Sequence, residues 1–152
     1  MPTDANDTVS DAVSARCAWE QVARDLASEE GVPPALFAAV INQESRFDPD
    51  IPGGIAQIDL RYHDVAAGPV NHLRYAARLL AQYRSLLGRY DLALAAYNAG
   101  YPQVAISGTV PPAARHYVST VMQRGWEPSP CALRAEGDVV VAAALVAAML
   151  LR

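Results

Sequence analysis

The sequence contains no lysine. All 12 basic residues are arginine and 16 acids oppose them, for a formal charge of -4. A strongly basic surface for nucleic acid is therefore excluded. Cysteine is scarce: Cys17 and Cys131 stand far apart, without a Cys-x-x-Cys pair or a Cys/His cluster, so no zinc site is expected. The three histidines, His63, His72 and His116, lack metal-ligand spacing. No glycine-rich phosphate loop and no serine nucleophile elbow occur. Neither a metal nor another cofactor is expected. The N-terminal stretch has no basic patch followed by an apolar run, so it does not read as a secretory signal. One long apolar run exists, Val139 to Leu151. As a helix it would reach about 20 Å, short of a bilayer core of about 30 Å. It reads as a packed terminal helix rather than a membrane span.

What is present is a core-forming composition. Of 152 residues, 52% are hydrophobic and 18% charged, which suits one compact domain and excludes a disordered chain. The two cysteines read most simply as buried thiols; a disulfide between them requires an oxidising compartment.

The periodicity is almost wholly helical, with little or no β-structure. Ser10 or Asp11 can cap a first helix carrying Trp19, Val22, Ala23 and Leu26, ended by Gly31. Pro33-Pro34 opens a second, with Phe37, Val40 and Ile41 on its apolar stripe. A Pro- and Gly-rich loop runs from Asp48 to Gly68; within it Gly54 to Ile58 is the one candidate extended piece. Pro69 starts a third helix that Gly88 stops, and its neighbours Tyr75, Tyr83 and Tyr90 read as core or edge packing. Arg74, Arg78 and Arg84 form a solvated face. Asp91 can cap a fourth segment, Leu92 to Ala99, apolar all round and therefore central. After a turn-rich stretch, Pro111-Pro112 opens a fifth helix with Tyr117, Val118 and Val121, stopped by Gly125. A link from Gly125 to Gly137 leads to a terminal helix over 138–151.

Glu44 is the acid that stands apart. It lies four residues after Val40 and three after Ile41, on the core-facing stripe. Burying a carboxylate is costly unless it is paired or keeps its proton. Periodicity alone leaves two readings. The simpler is an ion pair with Arg46 or Arg61 at the helix end. The other is a carboxyl kept protonated by desolvation, as in the general acid of a glycosidase.

Local sequence adds to this. Glu44-Ser45-Arg46-Phe47-Asp48-Pro49 is followed by Gly54-Ile55-Ala56-Gln57, then by Ala95-Ala96-Tyr97-Asn98-Ala99-Gly100, then by Tyr117-Val118. In this order the blocks resemble the transglycosylase SLT family, the lytic transglycosylases related to goose-type lysozyme, over about residues 32–123. The resemblance implies a single lysozyme-like helical domain over 1–152, with the terminal helix as an addition. It implies Glu44 as the catalytic acid/base, and Ser45, Gln57, Tyr97, Asn98 and Tyr117 as substrate-binding residues. Ile55-Ala56 replaces the family's Leu-Met, which leaves a roomier wall beside Gln57. The implied substrate is the peptidoglycan glycan strand. The implied reaction cuts the bond between N-acetylmuramic acid and N-acetylglucosamine and leaves a 1,6-anhydro end. A goose-type muramidase using water, with Asp59 or Asp64 in support, and a non-catalytic wall-binding module are the alternatives. A monomer is expected, made in the cytoplasm and acting on the cell wall. That setting suits a phage lysis or virion protein that reaches the host periplasm.

Overall fold

The computed structural model describes residues 5–131. Within these residues the complete α-helices are, in order, α1 (Ala5–Glu29), α2 (Pro34–Ser45), α3 (Pro69–Leu87), α4 (Tyr90–Ala99), α5 (Tyr101–Ser107) and α6 (Arg115–Arg124), the last preceded by a 3-10 turn over Pro112–Ala114. Among the described residues there is no strand. The terminal apolar segment 138–151 and its Asp138 cap lie outside them.

Proline and left-handed residues set most of the boundaries. Pro34 and Pro69 occupy the first turns of α2 and α3, where the missing amide hydrogen costs nothing. Gly88 closes α3 in the left-handed conformation. The exit from α2 is less common. Arg46 (φ 54) and Phe47 (φ 61) are both left-handed without being glycine. Each such residue costs about 1–2 kcal/mol. Burial of the Phe47 ring, 2% exposed, returns about 2–3 kcal/mol. The sharp exit leaves Glu44 and Ser45 in the last turn of α2.

The centre is α4. Leu92 to Ala96 are buried on every side, and α4 packs against α3, α5 and α6. On the other side α2 lies between α1 and α6. The core therefore runs from Phe37, Val40 and Ile41 on α2 through Leu94 to Val121 on α6.

Six expectations change. The stretch after Gly100 is helix α5, because Gly100 (φ 100) redirects the chain, Pro102 fits a first turn and Val104 is fully buried as an anchor. Gly54 to Ile58 is a series of turns, since Gly53, Gly54 and Gln57 all have positive φ and cannot extend. Helix α1 begins at Ala5, ahead of Ser10 and Asp11. Asp91 lies inside the first turn of α4, where its Oδ1 accepts the Leu92 amide hydrogen at 2.9 Å. Finally, Cys17 and Cys131 form a disulfide that ties α1 to the chain after α6. Arg78 is also more than a solvated residue, since its Nε donates to Glu30 at 2.7 Å.

Candidate active site

Glu44 is half-buried at the C-terminal end of α2. It is paired with neither arginine proposed for it. Arg61 instead holds Asp59 through two bonds, Nε to Oδ1 at 3.0 Å and Nη2 to Oδ2 at 2.7 Å. Arg46 is exposed and makes no ion pair among the described residues. The partner of Glu44 is Tyr117 on α6, whose hydroxyl donates to Oε1 at 2.7 Å. Burial pushes the Glu44 carboxyl above its ordinary range, and the Tyr117 bond offsets part of that rise. Tyr117 is itself 8% exposed, and its own proton is held far more tightly than usual by burial and by the adjacent carboxylate. It can donate to the acid without losing its hydrogen. With Oε1 occupied, Oε2 is the oxygen left to carry the acid's proton. No hydrogen bond among the described residues engages Oε2, and it is not sealed from solvent.

Ser45 is turned inward. It is 5% exposed, and its hydroxyl donates to the Ile55 carbonyl at 2.6 Å. It ties the end of α2 to the 53–57 turns. Tyr97 performs the matching task from α4, donating to the Ala56 carbonyl at 2.6 Å. Ile55 and Ala56 are themselves fully buried, so the segment is clamped on both sides. Burial raises the Tyr97 hydroxyl well above its normal range, with the nearby Glu44 charge adding to it.

Gln57 sits at the end of this clamp. Its side-chain amide donates to the carbonyls of Pro52 and Gly54, each at 2.8 Å. Its carbonyl oxygen lies 2.7 Å from the point a Cβ on Gly53 would occupy. The glycine there admits the glutamine. Beyond Gln57 opens a cavity of about 660 Å³, a size suited to small ligands. Gln57, Tyr97 and the exposed Asn98 line it; Glu44 is not among the lining residues, but its charge acts on the Tyr97 hydroxyl. Both α4 residues reach it because α4 ends at Gly100. The expected residues thus divide into an acid with its hydroxyl donor (Glu44, Tyr117), two internal ties (Ser45, Tyr97) and a polar rim (Gln57, Asn98).

Three further tyrosines line this cavity: Tyr62 and Tyr101, which the sequence did not single out, and Tyr83, which it marked only as packing. Tyr83 and Tyr101 stack with centroids 5.3 Å apart. The helical spacing of Tyr83 resembles ordinary packing, and Tyr62 and Tyr101 stand in stretches that read as loop, so no local signal separates them.

Among the described residues no cluster of His, Cys, Asp or Glu could hold a metal ion, and no helix is long and apolar enough to cross a membrane. No protein-family model matches the chain, and no solved structure matches it.

Proposed function

We propose that this chain is a lytic transglycosylase with a lysozyme-like fold, which cleaves the β-1,4 bond between N-acetylmuramic acid and N-acetylglucosamine in peptidoglycan. One observation carries the reading: a half-buried Glu44, raised toward its protonated form by desolvation and oriented by the Tyr117 hydroxyl at 2.7 Å, stands at a helix end close to Tyr97 of the cavity wall. A carboxyl that keeps its proton near neutral pH can serve as a general acid. The order of the Glu-Ser, Gly-Ile-Ala-Gln and Ala-Tyr-Asn-Ala-Gly blocks supplies the substrate class.

In this mechanism Oε2 of Glu44 gives its proton to the bridging oxygen as that oxygen leaves C1 of the muramyl unit. The substrate's N-acetyl oxygen steadies the positive charge that develops at C1. The Glu44 carboxylate then takes the proton of the C6 hydroxyl as O6 bonds to C1. The anhydro ring closes, Glu44 recovers its proton, and no water is consumed. Gln57 and Asn98 supply amide groups at the edge of the cavity for sugar hydroxyls.

The geometry favours this over two-carboxylate hydrolysis. A hydrolase of that kind needs a second carboxylate, as base for water or as nucleophile. Asp59 is the candidate closest to the cavity, yet both its oxygens are held by Arg61. That bidentate bond draws its pKa down to about 2, which makes it a poor base. The disulfide suits action in an oxidising compartment such as the periplasm.

The test is product mass on purified peptidoglycan. Anhydro ends, lighter by one water than hydrolysed ends, are expected from the native protein. Hydrolysed ends would assign the muramidase instead. Full activity in Glu44→Gln would remove Glu44 from the mechanism.

A further inference from the structure

A second cavity, of about 220 Å³, lies between α1, α2 and the chain after α6, and shares no lining residue with the cavity at Gln57. Three arginines reach it: Arg16 and Arg24 from α1, and Arg124 from the end of α6. Its α2 residues, Ala35, Ala38, Ala39 and Asn42, form one helical stripe. Glu44 stands two residues beyond Asn42, about 200° round the helix, so the cavity is on the opposite face of α2 from the acid.

Arg16 is the anomaly. It is half-buried, yet it makes no ion pair among the described residues. Its Nη2 donates to Asn42 Oδ1 at 2.7 Å, a neutral partner. Its Nε is sealed from solvent with no acceptor, alone in this among the side-chain nitrogens and oxygens of the described residues. Its Nη1 is not sealed and makes no hydrogen bond among the described residues. A cation withdrawn from water costs free energy unless an anion meets it, so this guanidinium points to a missing partner. Arg24 is committed only through Nε, which donates to Glu20 Oε2 at a long 3.4 Å. Glu20 is 6% exposed, takes the Ser129 hydroxyl at 2.7 Å and makes no bond to Arg16. Asn42 accepts Arg16 through its carbonyl oxygen, which leaves its amide hydrogens uncommitted among the described residues.

Guanidinium groups hold carboxylate and phosphate alike, and two features choose between them. Glu20 and Glu127 also line the cavity, so three arginines face two acids. A surplus of one positive charge suits a monoanion better than a dianion. The remaining wall is apolar, made by the methyl groups of the three α2 alanines and the rings of Pro128 and Pro130. Small aliphatic groups gain by covering such a wall, and an inorganic anion does not. A volume of about 220 Å³ lies below the range of drug-sized pockets, which limits the occupant to one or two small residues. We propose that this cavity is a second binding site, for the carboxylate end of a peptide whose last residue is small, such as alanine. Arg16 and Arg24 hold the carboxylate and Asn42 orients it. The proposal does not rest on the glycan-cleaving reading of Glu44.

The test titrates the full chain, disulfide intact, with the dipeptide N-acetyl-Ala-Ala and reads amide NMR shifts. Saturable shifts are expected at Arg16, Ala39 and Asn42. The C-terminal amide of the same dipeptide lacks the carboxylate and should bind at least about tenfold more weakly. Arg16→Gln should weaken dipeptide binding about tenfold. Arg16→Lys keeps the charge but loses the planar fork, and should fall between Arg16→Gln and the native protein. Glu20→Gln removes a competing negative charge and should tighten binding about threefold. Arg78→Gln, at an arginine whose side chain is 63% exposed on α3, controls for the loss of one positive charge and should leave binding unchanged. Circular dichroism checks that each variant folds; should Arg16→Gln not fold, Arg16→Lys and Glu20→Gln decide by their opposite directions. Equal binding of the dipeptide and its amide, or no saturable shift, would overturn the proposal. So would inorganic phosphate binding more tightly than the dipeptide, or shifts confined to Tyr97 and Asn98 of the other cavity. Each of these outcomes leaves the assignment of Glu44 standing.

Discussion

Two regions, the acid with its ties and the cavity rim, share Tyr97 as a neighbour and are built in opposite ways. On the acid side, each polar side chain is committed to a partner brought from elsewhere in the chain. Tyr117 reaches Glu44 across 73 residues, Tyr97 reaches Ala56 across 41, and Ser45 reaches Ile55 across 10. On the rim, Asp59 and Arg61 pair across two residues in open solvent. Long-range bonds inside the core fix a proton donor; local turn chemistry fixes a recognition surface. Perturbations of the acid side should therefore alter rate and pH profile, and those of the rim should alter affinity.

The strongest break is Glu44→Gln. Gln keeps the shape and can still accept from Tyr117 but cannot give a proton. Activity on peptidoglycan should fall about 10²- to 10⁴-fold, the usual worth of a positioned general acid, with the fold intact by circular dichroism. Next in size is the disulfide, which touches neither region. Its bond closes a separation of 114 residues, and a loop of that length is worth up to about 4–5 kcal/mol by the chain-entropy model. Cys17→Ser with Cys131→Ser should lower Tm by many degrees. At low temperature its pH–rate profile should match that of the native protein, because the bond lies outside the site.

Gly53→Ala tests the hinge between the two regions. Gly53 has φ +89, and an added Cβ would meet the Gln57 side chain at 2.7 Å. Gly31 has φ +72 with nothing within 4 Å. Both alanines carry the left-handed strain of about 1–2 kcal/mol. Only Gly53→Ala should also raise KM, because it displaces Gln57 from the cavity wall. Equal effects of the two substitutions would mean that Gln57 does not contribute to binding.

The sequence made most of the fold legible because its punctuation is strong. Pro34, Pro69, Gly88 and Gly100 each mark the boundary they suggest. The periodic stripe of α2 placed Glu44 against the core. Helix α5 was hidden because Gly100, Pro102 and Gly108 read as turn residues, while a single buried valine, Val104, holds the segment helical. The roles of Ser45 and Tyr97 could not be divided from those of Gln57 and Asn98, since whether a hydroxyl faces a backbone carbonyl or a ligand depends on tertiary contact. The choice between thiols and a disulfide at Cys17 and Cys131 likewise depends on distance in space.

Tyr117→Phe should have a smaller effect than these, and one whose direction discriminates. The hydroxyl bond to Glu44 Oε1 lowers the acid's pKa against the larger rise caused by burial. Removing it lets that pKa climb further. The alkaline limb of kcat against pH should move to higher pH, while the maximum rate falls about tenfold through the lost orientation, an energy near 1.4 kcal/mol.

The smallest effect concerns stability. Burial raises the folded-state pKa of Glu44 above its value of 4.5 in an open chain. The folded protein thus binds the Glu44 proton more tightly than the unfolded chain does. That contribution is complete below about pH 4.5 and is lost as pH rises through the folded pKa. Glutamine does not titrate. Glu44→Gln should accordingly gain Tm relative to the native protein as pH rises from 4.5 toward 8, with the gap closing in acid. A Tm difference constant across that range would show that Glu44 is not desolvated, and would remove the physical basis for a protonated acid on this face. A scan on Asp59→Asn should be flat over that range and should slope only below about pH 4, in the other direction. Arg61 depresses the Asp59 pKa to about 2, so that group's small contribution is present above its ordinary 3.8 and fades only as pH falls toward 2. Opposite slopes in two separate pH windows, from Glu44 above 4.5 and from Asp59 below about 4, would separate the proton donor from the rim by thermodynamics alone.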